Sequence, residues 1–303
     1  MIIFIDENDE GKRLDNFLTE ITGCSRSKIQ AAVKNGLALV NSMQKKSSYN
    51  LKENDRVEFE LPDEKDLCIE PENIPLDIVY EDENMLVVNK PSGMLTHPTS
   101  LEKKGTLVNA LLFRYGENLS DINGEFRRGI LHRLDRNTSG LLMIAKNNRA
   151  HEFLASQIKQ HTVVKKYRAI VKGAYKKDED KIELPIGRNP KQPQKMCVTT
   201  DGKDSITLVK VLEHFGNDAT YLELTLITGR THQIRVHLSY KGHPVYNDSL
   251  YGAGQGKVKT EEQVLQSYHL EFTKPFSDEI ICLEIEPDEK FQKVLNYYRN
   301  RRT

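Results

Sequence analysis

Short β-type runs punctuated by turn residues constrain this chain more than any other feature. Residues 76–80 and 85–89 are strand-length apolar runs, and Glu81, Asp82, Glu83 and Asn84 between them supply a hairpin turn. Pro91 and Gly93 stop the second run, because proline has no ladder donor and glycine permits positive φ. Residues 140–145 are continuously apolar, as in a central strand buried on both faces. Residues 1–5, 167–172, 207–212, 222–227 and 280–285 read as further strands. Beyond residue 76, helical spacing is confined to 106–113, to a stretch capped by Asn148 and running to Gln160, and to 287–298 with Phe291, Val294, Leu295 and Tyr298 inward. Many strands, few helices and hairpin-length connections predict an α+β domain around a mixed, largely antiparallel central sheet with flanking helices and a cleft.

Residues 12–60 read as a unit of their own. Leu14, Phe17, Leu18 and Ile21 recur at helical spacing, and Gly23 ends the run. Ser25 is the expected cap of a second helix carrying Ile29, Ala32 and Val33, which stops at Asn35 and Gly36. Strands are expected at 37–41 and 56–61. No acid lies between Glu20 and Glu53, while Arg26, Lys28, Lys34, Lys45, Lys46 and Lys52 do, so this unit has a one-sided basic surface. Pro71 and Pro75 mark residues 70–76 as a linker, giving domains at 1–69 and 77–303.

Net charge excludes little, because Lys plus Arg and Asp plus Glu both total 44. Its distribution says more. Residues 127–177 hold thirteen basic side chains against Asp135 and Glu152, whereas residues 53–83 hold thirteen acids against Arg56 and Lys65. A basic block in a neutral chain is a local footprint for a polyanion. Cys24, Cys68, Cys197 and Cys282 match no zinc or redox spacing and are expected to be reduced thiols in a cytoplasmic protein. The apolar start is cut off by Asp6 and Glu7, and no run approaches the roughly twenty apolar residues of a membrane helix. No metal and no cofactor is expected: the histidines show no HExxH-like spacing and no glycine pattern cradles a nucleotide.

Two runs carry chemistry. His132-Arg133-Leu134-Asp135-Arg136-Asn137-Thr138-Ser139-Gly140 sets one carboxylate between two guanidinium groups. Nearby positive charge favours the ionised carboxylate, which suits a nucleophile or base working on a polyanion. The same Asp-Asn-Thr-Ser composition also serves a plain turn. The second run is Gly229-Arg230-Thr231-His232-Gln233-Ile234-Arg235-Val236-His237-Leu238. Read as an alternating strand, it sends Gln233, Arg235 and His237 to one side and so projects Arg235 into a cleft.

Together these runs resemble the RluA-type RNA pseudouridine synthases, which isomerise uridine within RNA. The first matches HRLDxxTSG at each fixed position, and Lys165-Lys166-Tyr167-Arg168-Ala169-Ile170-Val171-Lys172-Gly173 matches the family's KxYxAxVxG. Similarity extends over about residues 75–291. It departs at Gln192 and Gln194, where the family is richer in Arg, and at Asn247, where the family usually has Gly but Asn also tolerates a left-handed turn. The resemblance implies that Asp135 is the essential catalytic residue, that Arg235 pairs with it and that Tyr167 stacks on the target base. It further implies that Arg133 fills the gap left by a flipped nucleotide, and that Lys90 and His97 have a mainly structural role. Arg136 and Arg230 join Arg133 as candidate RNA contacts, while His132 and His232 are read as structural hydrogen-bonders. Residues 1–69 resemble the S-four-like (alpha-L) RNA-binding module, of small α/β type, with Arg26, Lys28, Lys34, Lys45 and Lys46 as candidate contacts. Chains carrying this module most often resemble the modifiers of 23S ribosomal RNA, so that substrate is favoured, with a monomer as the acting species. A tRNA-modifying enzyme, a catalytically silent RNA-binding or ribosome-assembly factor, and a hydrolase using two carboxylates are the alternatives. The last wants a second acid that no motif contains.

Overall fold

The computed structural model describes residues 1–24, 26–60, 69–99, 101–252, 254 and 256–301, without the side chains of Ser27 and Lys28. The chain forms two compact units, Met1–Ile69 and Glu70–Thr303. Ser25, Leu61 and Cys68 lie outside the described residues.

In the first unit, helices α1 (Leu14–Thr22) and α2 (Arg26–Lys34) pack on four strands. These are β1 (Ile2–Phe4), β2 (Ala38–Val40), β3 (Met43–Gln44) and β4 (Arg56–Phe59), in the antiparallel order β1-β4-β2-β3. Leu14, Phe17, Leu18, Ile29 and Val33 meet Val40, Val57 and Phe59 in one core, whereas Ile21 faces outward. Gly23 closes α1 in the left-handed conformation, its N–H returning to the Thr19 carbonyl.

The second unit contains β5 (Ile78–Glu81), β6 (Met85–Lys90), α3 (Leu107–Tyr115), β7 (Ser139–Ala145), α4 (Asn148–Lys159), β8 (Val164–Lys172) and β9 (Glu179–Glu183). There follow β10 (Ile186–Arg188), β11 (Met196–Val198), β12 (Ile206–Phe215), β13 (Ala219–Leu226), α5 (Gln233–Tyr240), β14 (Leu265–Thr273), β15 (Ile280–Glu284) and α6 (Glu289–Arg299). One sheet runs β5-β6-β7-β14-β8-β13-β12-β9, with β15 added to β14 and β10–β11 forming a separate hairpin. Among the described residues its pairings are antiparallel except that of β7 with β14. The fold is therefore a mixed α+β architecture around a large, mostly antiparallel sheet. No described helix is long and apolar enough to cross a membrane.

All seven residues of β7 are buried, as a central strand requires. Gly140 sits in it with φ +117°, and a Cβ there would stand 2.0 Å from the Ser267 carbonyl oxygen of β14. Only glycine allows these two backbones to close, and that contact fixes the strand leaving the Asp135 loop. Residues 70–74, read as a linker, are tied to α3. The Asn109 side chain donates to the Glu70 carbonyl (2.8 Å), and Glu72 N–H donates to the Asn109 carbonyl (3.0 Å).

Two local expectations need correcting. Asn147, not Asn148, caps α4: its side chain accepts from Ala150 N–H at 2.9 Å, while Asn148 turns to Ser120 and Asp121. Residues 233–237 are helix, not an alternating strand. The turn of α5 through Gln233–Leu238 is buried on every side, so it shows no polar face, and its Ile and Val imitate a strand.

Candidate active site

Asp135 lies in the loop entering β7, and a frame of backbone contacts holds that loop. The Lys90 Nζ, fully buried, donates to the carbonyls of Pro91 (2.8 Å), Met94 (2.8 Å) and Arg136 (3.0 Å). Thr96 Oγ1 donates to the Leu134 carbonyl at 2.9 Å, and Ser92 Oγ and Lys290 Nζ both donate to the Asn137 carbonyl. The segment around Lys90 thus clamps the residues on both sides of Asp135 without touching its carboxylate. A side chain so fixed loses little entropy on meeting a substrate.

Arg235 reaches the same carboxylate from α5. Its Nη1 donates to Asp135 Oδ2 at 2.9 Å. Its Nε and Nη2 make a second, two-pronged bond to Asp248, at 2.7 and 2.9 Å. Burial alone would lower the Arg235 pKa, but the hydrogen bonds and charge of Asp248, then of Asp135, outweigh it and raise it. Asp248 is itself buried, accepting further from Leu250 and Tyr251 N–H. Sequence reasoning assigned Asp248 no role; only the fold brings it beneath Arg235. The left-handed Asn247 (φ +59°) makes the turn that delivers it.

His232, also left-handed (φ +57°), starts α5 with Nε2 3.8 Å from Asp135 Oδ2. The Tyr251 hydroxyl accepts from Met196 N–H (2.9 Å) and lies 2.7 Å from His232 Nδ1. Burial, partly opposed by Asp135, lowers the His232 pKa, so the ring borders the carboxylate as a neutral group.

Asp135, Tyr167 and Arg235 all line one cleft of about 490 Å³. Tyr167, on β8, is 6% exposed, and burial pushes its hydroxyl up to about 12. It keeps its proton and presents a rigid, largely dry ring to the cleft that Asp135 also lines. The exposed Arg133 and Arg230 border the cleft, Arg133 donating to Thr231 Oγ1 at 3.0 Å and Arg230 to the Asp204 carbonyl at 3.2 Å. Arg136 lies outside that lining and pairs with Glu102.

In the first unit, Lys34, Lys45 and Lys46 line one surface groove. Arg26 does not join them: it donates to the buried Asp15 at 3.2 Å. The Lys28 side chain lies outside the described residues.

His132 and His97 carry a pH dependence. His132 Nε2 accepts from Met143 N–H at 3.0 Å, which requires that nitrogen unprotonated, and burial lowers the ring to about 3. Burial and then the charges of Arg127 and Arg133 lower His97 to about 4. Both are bases with native values below the ordinary 6.5, so the folded state binds fewer protons than the unfolded chain below that pH. Their stabilisation is complete above pH 6.5 and is lost as pH falls toward these native values. His132 alone should cost about 2 kcal/mol between pH 7.5 and 5. Urea midpoints at the two pH values should show this fall, and His132→Gln, whose amide oxygen can still accept from Met143, should flatten it.

The family model described as RNA pseudouridylate synthase matches residues 84–240. A Bacillus subtilis protein, the uncharacterized RNA pseudouridine synthase YlyB, is 41% identical over 98% of each chain. The ribosomal large subunit pseudouridine synthase D of Zymomonas mobilis is 36% identical, with 96% of this chain and 95% of that one aligned. Among solved structures, human RNA pseudouridylate synthase domain containing 1 superposes with TM-score 0.56 at 27% identity, covering 74% of this chain and 95% of its own. The chain belongs to the RNA pseudouridylate synthase family, of RluA type, and is an enzyme acting on RNA.

Proposed function

We propose that the enzyme isomerises specific uridines of 23S ribosomal RNA, with Asp135 making and breaking the bond to the sugar. The observation that carries this is the Asp135 carboxylate, bonded at 2.9 Å to a buried Arg235 and lining the same cleft as Tyr167. Isomerisation breaks the bond from ribose C1′ to uracil N1 and forms one from C1′ to C5. The C5 proton leaves and N1 gains one, so atoms and electrons balance without an oxidant or reductant. Asp135 either attacks C1′ or removes the neighbouring C2′ proton; both routes need its carboxylate free of a proton. Arg235 orients that carboxylate, and Tyr167 offers its ring to the base that turns over. A stacked and paired uridine hides both bonds, so the nucleotide must be flipped out, with Arg133 at the rim suited to the vacated space.

The large-subunit ribosomal names of relatives aligned along nearly their whole length support the substrate. The basic groove of Lys34, Lys45 and Lys46 supports an S-four-like role for residues 1–69, adding salt-dependent affinity for phosphate. The acting species is a cytoplasmic monomer. Mapping pseudouridines in ribosomal and transfer RNA from a deletion strain tests the substrate. Sites should vanish from 23S RNA, and loss confined to tRNA would transfer the assignment there. Tyr167→Phe should keep RNA affinity, whereas Tyr167→Ala should lower turnover by at least about tenfold, because a stacked aromatic face contributes on the order of 1–3 kcal/mol. Single-turnover rates check both.

A further inference from the structure

The geometry points to a zinc-type metal site, outside the active cleft, made by His269, Glu271 and Cys282 on the β14–β15 hairpin. The antiparallel register sets His269 opposite Glu284 and Glu271 opposite Cys282, so all four side chains share one face. Leu270, Phe272, Ile281 and Leu283 take the other face, against the core. One ligand atom from each of His269, Glu271 and Cys282 lies within 4.8 Å of the others.

His269 provides the independent observation. Its side chain is only 7% exposed, yet its Nε2 is sealed from solvent with no hydrogen-bond partner. Leaving a buried ring nitrogen unpaired is costly, and the nearest carboxylate oxygen, Glu271 Oε2, stands too far for a hydrogen bond at 4.0 Å. Its other nitrogen, Nδ1, is bonded at 2.8 Å to Glu284 Oε1. A carboxylate on one ring nitrogen and an open second nitrogen is the arrangement that orients a metal-binding histidine.

The donor set of imidazole, carboxylate and thiolate suits Zn²⁺ better than the hard, all-oxygen cations. Bond lengths of about 2.0–2.3 Å in tetrahedral geometry put ligand atoms about 3.5 Å apart. The half-buried Glu271 and the exposed Cys282 therefore close by roughly 1 Å around a fixed His269, leaving a fourth position for water. Lys166, beside His269 in the register, is held by Glu223 at 3.7 Å. Two carboxylates and a thiolate outweigh its charge and favour a divalent cation. The ion would fasten β15 to β14, the strand whose Ser267 stands opposite Tyr167 in the sheet.

The test uses the full chain after chelator treatment. Co²⁺ titration should give one equivalent per chain, with a thiolate-to-cobalt absorption band that Zn²⁺ then bleaches. Competition with a chromophoric chelator should give a Zn²⁺ Kd below about 1 μM. Cys282→Ser, at an exposed position that leaves the core intact, should remove the band and weaken Zn²⁺ binding at least about a hundredfold; Glu284→Gln should weaken it about 10–100-fold. Weaker binding by the parent chain, no thiolate band, or a band and affinity unchanged in Cys282→Ser each overturns the site.

Discussion

Asp135→Asn should lower isomerisation by at least about a thousandfold, on the order of 4 kcal/mol of transition-state stabilisation, while leaving RNA affinity within about a factor of three. In the proposed reaction the carboxylate acts as nucleophile or as base, and an amide can do neither. The groups proposed to hold RNA are others: Arg133 and Arg230 at the cleft and Lys34, Lys45 and Lys46 in the first unit all keep their charge. The variant should also fold. The Asp135 side chain is 19% exposed, the loop is held through its backbone by Lys90, Thr96 and Ser92, and Arg235 retains Asp248. Pseudouridine content after prolonged incubation, set beside equilibrium binding at fixed salt, separates the two quantities. A variant that neither binds nor reacts would instead indicate a structural role.

The second large effect belongs to Asp248. Asp248→Ala removes both acceptors from the Nε and Nη2 of Arg235, a residue 6% exposed, and leaves its charge buried against Asp135 alone. Breaking a buried ion pair on one side costs about 3–5 kcal/mol. At about 2–4 °C per kcal/mol for a unit of this size, the thermal midpoint should fall by roughly 6–20 °C. Turnover should fall as well, measured well below that midpoint, because the guanidinium is then free to rotate away from Asp135. Arg235→Lys should lose activity with a smaller loss of stability, since an ammonium cannot bond both carboxylates in the same fork. Calorimetry and single-turnover rates on the two variants check this order. Equal stability in Asp248→Ala and the parent would remove Asp248 from the account.

The strands were legible where one physical signal dominated. The apolar run of β7 read as a central strand, and the closing helix showed its Phe291, Val294, Leu295 and Tyr298 stripe. The grouping of Asp135, Tyr167 and Arg235 was legible through motif matching, but the geometry joining them was not. Arg235 was expected to project from a strand; it reaches Asp135 from a short helix whose complete burial erases any amphipathic period. Asp248 was invisible because nothing local marks an acid that will lie beneath an arginine thirteen residues earlier. Gly140 read as part of a motif, and its reason, the 2.0 Å that would separate a Cβ from the Ser267 carbonyl oxygen, belongs to a parallel pairing between distant strands. His269, Glu271 and Cys282 are in the same position: their spacing matches no metal motif, and hairpin register alone assembles them. Local chemistry writes itself into sequence, whereas contacts made across a sheet do not.

The central claim, that Asp135 performs the bond exchange, is tested most directly by single-turnover tritium release from an RNA transcript labelled at uracil C5. The parent chain should release tritium in step with pseudouridine formation. Asp135→Asn at saturating concentration, with RNA demonstrably bound, should release none above background. Release by that variant within tenfold of the parent rate would contradict the account.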